Sequence, residues 1–189
     1  MPKGLTWSNA TSLTDLGLLT SAWLQGNGVP HPCGGNGPDP ETADILSDLV
    51  LLNRRGLVTN HSQPARKIND TGTGQRAEVE GFTDERLARA IASLTLSTDL
   101  MVFLYEPGET AETAEYQVPI TTGDFQPCTF CGVLCPEEVE YFSAPARAVL
   151  QEAWYVVVVD PKWGRSRYLW RHLKRVSRAG QNALWSFRT

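Results

Sequence analysis

Trp154-Tyr155-Val156-Val157-Val158-Val159 constrains the fold of this chain more than any other stretch. Six consecutive β-branched or aromatic residues leave no polar face for solvent. The strand they predict is therefore covered on both sides, as a central strand is. Pro161 ends it, because proline cannot donate to a sheet ladder. Asp160, Lys162, Trp163, Gly164 and Arg165 then fall at the strand's C-terminal end, ahead of a predicted helix. In open α/β sheets that edge is where ligands bind.

The other elements follow from caps and periodicity. Ser12-Leu13-Thr14-Asp15 opens a helix with a hydroxyl cap and an acid three residues on, and Gly26-Asn27-Gly28 closes it. Asp39-Pro40-Glu41 opens a second helix, which ends at Arg54-Arg55-Gly56. Leu57–Thr59 is a short strand leading into the polar turn Asn60-His61-Ser62-Gln63-Pro64. Further strands are expected over Arg76–Phe82, Leu100–Tyr105 and Tyr116–Thr121, and further helices over Asp84–Ser97, Ala144–Glu152 and Ser166–Arg178. The pattern predicts one α+β (mixed α/β) domain over residues 1–189, with two N-terminal helices and helices packed on a roughly five-stranded mixed sheet.

An apolar fraction of 41% with six tryptophans argues for a packed core rather than disorder. No run approaches the roughly 18 apolar residues of a membrane helix, and the N-terminus has no apolar signal region. A cytoplasmic, membrane-free protein is the expectation. The net charge of −4 hides an asymmetry. No acid follows Asp160, whereas 8 of the 17 basic residues do, so the first 160 residues carry 9 basic against 21 acidic groups.

The cysteines are the sharpest local signal. Cys128-Thr129-Phe130-Cys131-Gly132 has the spacing of a zinc knuckle, Cys135 adds a third thiolate, and Cys33 or His31 would complete a tetrahedral set for structural zinc. Free thiols in a reducing compartment, an iron–sulfur cluster and a disulfide are the alternatives. A second set lies at the sheet edge. If the strand before Asn60 runs parallel to Trp154–Val159, then Asn60, His61, Ser62 and Gln63 converge with Arg76, Asp160, Trp163 and Arg165. Such a set would hold an anionic, nucleotide-like small ligand. Arg76 and Arg165 would meet the charge and Trp163 would stack. An enzyme using Asp160 or His61 as acid/base on the same edge is the alternative, although no P-loop, dinucleotide fingerprint, His-Glu-x-x-His or nucleophile elbow is present.

Arg167, Arg171, Lys174, Arg175 and Arg178 share one face of the last predicted helix, opposite Leu169, Leu173 and Val176. That face would meet a protein partner or nucleic acid, or else neutralise the acidic body. A pI near 5.4 argues against a dedicated nucleic-acid binder.

Leu5-Thr6-Trp7-Ser8-Asn9-Ala10, the run Leu52–Pro64, Gln75–Phe82 and Val159–Arg165 together resemble an uncharacterised domain family of actinobacteria and their phages. The resemblance spans nearly the whole chain and implies no catalytic residue. A phage source would imply an accessory or anti-defence role in the host cytoplasm.

Overall fold

The computed structural model describes residues 2–35, 37–109, 118–131 and 139–185. Helix α1 (Leu13–Leu24) is capped by Ser12, whose hydroxyl accepts from the Asp15 amide. A 3-10 turn at Pro40–Asp44 leads into α2 (Leu46–Asn53). Strands β1 (Val58–Gln63), β2 (Gly74–Gln75) and β3 (Glu78–Thr83) follow, then α3 (Glu85–Ala92) and β4 (Met101–Tyr105). Strands β5 (Val118–Gly123) and β6 (Gln126–Cys131), helix α4 (Ala144–Gln151), β7 (Trp154–Val159) and α5 (Tyr168–Trp185) complete the order.

The α+β class is as expected, but the sheet is not one mixed layer of about five strands. Among the described residues, seven strands form two antiparallel sheets, one ordered β1-β3-β7-β4 and one ordered β2-β5-β6. β2 and β6 are the strands beyond the expected five, and β1 is longer than expected. Asn60–Gln63 has the side chains of a polar turn, yet its backbone pairs with β3. The cysteine segment has the spacing of a ligand turn, yet it is a strand. It returns on β5 through Asp124 and Phe125, both at positive φ (47° and 61°), as the tightest hairpin turns require.

β7 sits between β3 and β4 and is buried on both faces from Tyr155 to Val159. Val156 and Val158 face α2, α3 and α5, where Leu169, Trp170 and Leu173 pack. Tyr155, Val157 and Val159 face the other way, onto Leu16 of α1, Leu150 of α4 and Val118 and Ile120 of β5. β3 is covered in the same manner, and all six of its residues are buried.

Three connections position the β1 end of the sheet. Asn53, at the end of α2, donates to the Thr59 hydroxyl and accepts from the Thr59 amide. Gln63 donates through Nε2 to the carbonyls of Arg76 and Ile120, each at 2.9 Å, and so joins the two sheets. The third is an irregularity: Thr59 pairs with Gly81 and His61 with Glu80, leaving Asn60 as a bulge. No helix among the described residues is long and apolar enough to cross a membrane.

Close approach of β1 to β3 explains Gly81. A Cβ there would meet the Val58 carbonyl oxygen at 2.4 Å and Thr59 Cα at 2.9 Å, both of them backbone. Gly81→Ala should therefore cost about 2–3 kcal/mol, measured by urea unfolding. A cost below about 0.5 kcal/mol would mean that the bulge relaxes freely.

Candidate functional site

The bulge decides what β1 presents. Around an extra residue, His61 falls opposite Glu80 and Gln63 opposite Glu78, on the side of the sheet that carries Phe82 and Tyr155. His61 Nδ1 lies 2.9 Å from Glu78 Oε2; the His61 side chain is 55% exposed and that of Glu78 is 0% exposed. The Tyr155 hydroxyl donates to Glu80 Oε2 at 2.6 Å and is also hydrogen bonded to Asn60. Cys131 lies beside the two glutamates and donates its thiol proton towards the Val118 carbonyl. A polar cluster of Asn60, His61, Glu78, Glu80, Tyr155 and Cys131 is thus closed between the two sheets.

Its electrostatics follow from burial. Desolvation raises the Glu78 carboxyl above the usual range, opposed by the His61 hydrogen bond and charge and by contact with Glu80. Burial, and then the glutamates, push the Cys131 thiol up. The Tyr155 hydroxyl goes up for the same two reasons. Thiol and phenol are both neutral groups at pH 7.

His61 opens the cluster to a cleft of about 320 Å³ beside β1, lined also by Asn60, Ser62, Trp23, His31, Glu41 and Tyr141. The far wall includes His31, Cys33, Gly34 and Pro38, in a stretch held by indole donors. Trp7 Nε1 donates to the Pro30 carbonyl at 2.7 Å and Trp23 Nε1 to the Gly35 carbonyl at 3.4 Å. His31 is packed among Trp7, Trp23 and Phe142 at centroid distances of 5.2, 4.9 and 5.7 Å.

The residues singled out in the sequence divide into two groups. β1 and β7 run the same way with β3 between them, so Gln63 and Val159 both align with Glu78 at one edge of the sheet. Asn60, His61 and Ser62 line the cleft. The others are engaged elsewhere. Asp160 is 0% exposed and takes a two-pronged contact from Arg165, with Nε on Oδ2 and Nη2 on Oδ1, both at 2.6 Å. The same guanidinium reaches Asp99 at 2.7 Å and lies over the Tyr168 ring. Arg165 and Lys162 hold the Asp99 carboxyl well below the usual range. Arg76 lies over Trp163, 4.5 Å from the ring centroid, and donates to the Pro119 carbonyl at 2.7 Å.

Of the cysteines expected to bind zinc, Cys135 lies outside the described residues. Cys128 and Cys131 occupy an extended strand rather than a knuckle turn, Cys128 exposed and Cys131 buried. Cys33 borders the cleft. Among the described residues, the group of three metal-ligating side chains that comes together is His61, Glu78 and Glu80, with no cysteine in it.

Sequence reasoning missed Glu78, Glu80 and Tyr155. The signal was two glutamates at i and i+2 beside Val79 and Phe82, in a strand next to a fully apolar one. Period-two alternation puts both acids on one face.

Fold and site together define an α+β domain with a polar cluster between two antiparallel sheets and a cleft at its rim. The chain belongs to the family described as a domain of unknown function (DUF6919), whose model matches residues 3–179. No curated protein matches it.

Burial of His31 lowers its pKa to about 4. Between its ordinary value of 6.5 and about 4, the unfolded chain takes up a proton that the folded chain refuses. Stability is therefore complete above pH about 6.5 and falls as pH drops towards 4, by up to about 3 kcal/mol. A His31→Phe variant keeps an aromatic ring among Trp7, Trp23 and Phe142 but removes the titrating group. Urea unfolding at pH 7 and pH 4.5 should thus show the wild type losing about 2–3 kcal/mol more than the variant. Equal losses would rule out a neutral, buried His31.

Proposed function

We propose that the chain binds a small polar molecule in the cleft beside β1, with His61 as its central contact. The observation that carries this reading is the half-exposed His61 on the cleft wall, hydrogen bonded to the wholly buried Glu78. A buried carboxylate behind a histidine fixes both the ring's orientation and the nitrogen that faces outward. Asn60 and Ser62 flank it with hydrogen-bonding groups, while Trp23 and Tyr141 supply flat apolar area.

The charge of the ligand follows from what surrounds it. The expectation of an anion drew on Arg76 and Arg165, which are engaged by Trp163 and Pro119 and by Asp160 and Asp99. Asp39 and Glu41 line the cleft and are acidic, Glu41 being partly offset by Arg66 at 3.6 Å. A neutral or cationic molecule, such as a polyol or an amine, suits this lining better than a nucleotide. Any acid/base step here would draw on His61, because Asp160 is sealed beneath Arg165.

Thermal melting against polyols, amines, nucleosides and nucleotides tests the reading. A ligand at one hundred times its Kd adds about 2.7 kcal/mol, or about 5–10 °C for a chain of this size. The shift should come from a neutral or cationic compound and vanish in His61→Ala. A shift from anions alone would return the reading to a nucleotide-like ligand, and a shift that survives His61→Ala would move the site.

A second reading rests on α5. Lys174 pairs with Asp48, and Leu169, Trp170 and Leu173 are buried. Arg167, Arg171, Arg175 and Arg178 remain exposed at spacings of one turn. Such a ridge suits a polyanion or an acidic protein surface. If nucleic acid is the partner, retention on DNA or RNA at low salt should weaken several-fold in Arg171→Gln/Arg175→Gln. No retention at low salt would remove the nucleic-acid form of this reading.

A further inference from the structure

Glu78 and Glu80 lie two residues apart on one face of a strand covered on both sides, at 0% and 6% exposure. The cost of desolvating one carboxylate is several kcal/mol, and a second beside it adds repulsion. Oε1 of Glu78 is buried with no donor facing it, and its neighbour is the Glu80 carboxyl. Two carboxyl groups share a hydrogen bond only when one of them carries a proton. As carboxylates, they call for a cation instead.

The third group settles which kind of cation fits. The candidate ligand atoms of His61, Glu78 and Glu80 all lie within 4.8 Å of one another. Ligand atoms around a cation with bonds of about 2.1 Å lie about 3–4 Å apart, so small side-chain shifts bring the three together. Two carboxylates neutralise a divalent charge in a buried place. One imidazole with two carboxylates is an intermediate-to-hard donor set, which suits Mn2+, Fe2+ or Zn2+ rather than a soft monovalent metal. An outer layer is present as well: the Tyr155 hydroxyl donates to Glu80 and is itself held by Asn60, the arrangement that orients metal ligands.

We infer that His61, Glu78 and Glu80 form a binding site for one divalent transition cation at the inner end of the cleft. The site shares His61 with the proposed organic-ligand site, but cation binding is measured without an organic ligand, so failure of either reading is distinguishable. No thiol is among the three ligands, although Cys131 lies beside both glutamates.

Mn2+ is the probe, because thiolates favour softer metals and would not compete for it. Full-length protein stripped with a chelator is titrated with Mn2+, and loss of the free-ion electron paramagnetic resonance signal counts what is bound. One equivalent should bind and raise the melting temperature. Glu78→Gln/Glu80→Gln should weaken binding at least ~10-fold, and so should His61→Ala. The histidine variant removes a half-exposed ligand and leaves both glutamates in place, and its cooperative melting transition without metal checks that it is folded. No stoichiometric Mn2+ on the wild type would overturn the inference and leave a shared proton between the glutamates. Equal binding by wild type and both variants would overturn it too, by placing the ion elsewhere.

Discussion

A strand paired along both edges and covered on both faces has no solvent to offer its side chains, and β3 is such a strand. Most of the molecule depends on that condition. It lets Val79 join the core under α2, α3 and α5, and it commits Glu78 and Glu80 to the opposite side without water. Buried carboxylates persist only where partners compensate them. Here the partners come from two neighbouring strands: His61 from β1 on Glu78 and Tyr155 from β7 on Glu80. The apolar run of β7 is long enough to bear the cost of this polar inclusion.

The charge asymmetry along the sequence is closed only in part within the fold, by three of the eight basic residues that follow Asp160. Arg165 bridges Asp160 and Asp99, Lys162 also reaches Asp99, and Lys174 pairs with Asp48. Arg55 donates to the Lys174 carbonyl and the Ser177 hydroxyl, fastening α5 to the end of α2. The seam after β7 is thus a structural joint, with Gly164 pressed against the Lys67 backbone. What is left facing outward is a ridge of arginines, and what is left facing inward is the acidic cleft.

Much of the fold was legible because it rested on local chemistry. Ser12 and the valine run of β7 each name their element by a mechanism that acts within a few residues, whereas Asp39-Pro40-Glu41 opens a 3-10 turn without a side-chain cap and the α-helix begins at Leu46. The site was less legible, because its chemistry is non-local. Asn60–Gln63 carries turn-forming side chains, and only pairing with β3 makes it a strand. Cys128 and Cys131 have a ligand spacing that a hairpin overrides. The convergence of strand ends at Gln63 and Val159 was foreseeable, since it follows from strand direction. Arg165 was visible as a charge but not as half of a sealed pair, for burial belongs to the assembled core. The antiparallel sheet also removes the reason for expecting ligands at the carboxyl ends of strands, which applies to parallel sheets.

The bulge at Asn60 changes how densely β1 can deliver function. A regular strand sends alternate side chains to a given face, about 7 Å apart. Where an extra residue is inserted, two neighbours whose Cα atoms are about 3.8 Å apart can serve the same side. Asn60 reaches Tyr155 while His61 reaches Glu78. One irregularity therefore doubles the polar groups that β1 contributes at this point. It does so by backbone conformation alone, so a search for such sites by residue type would pass over it.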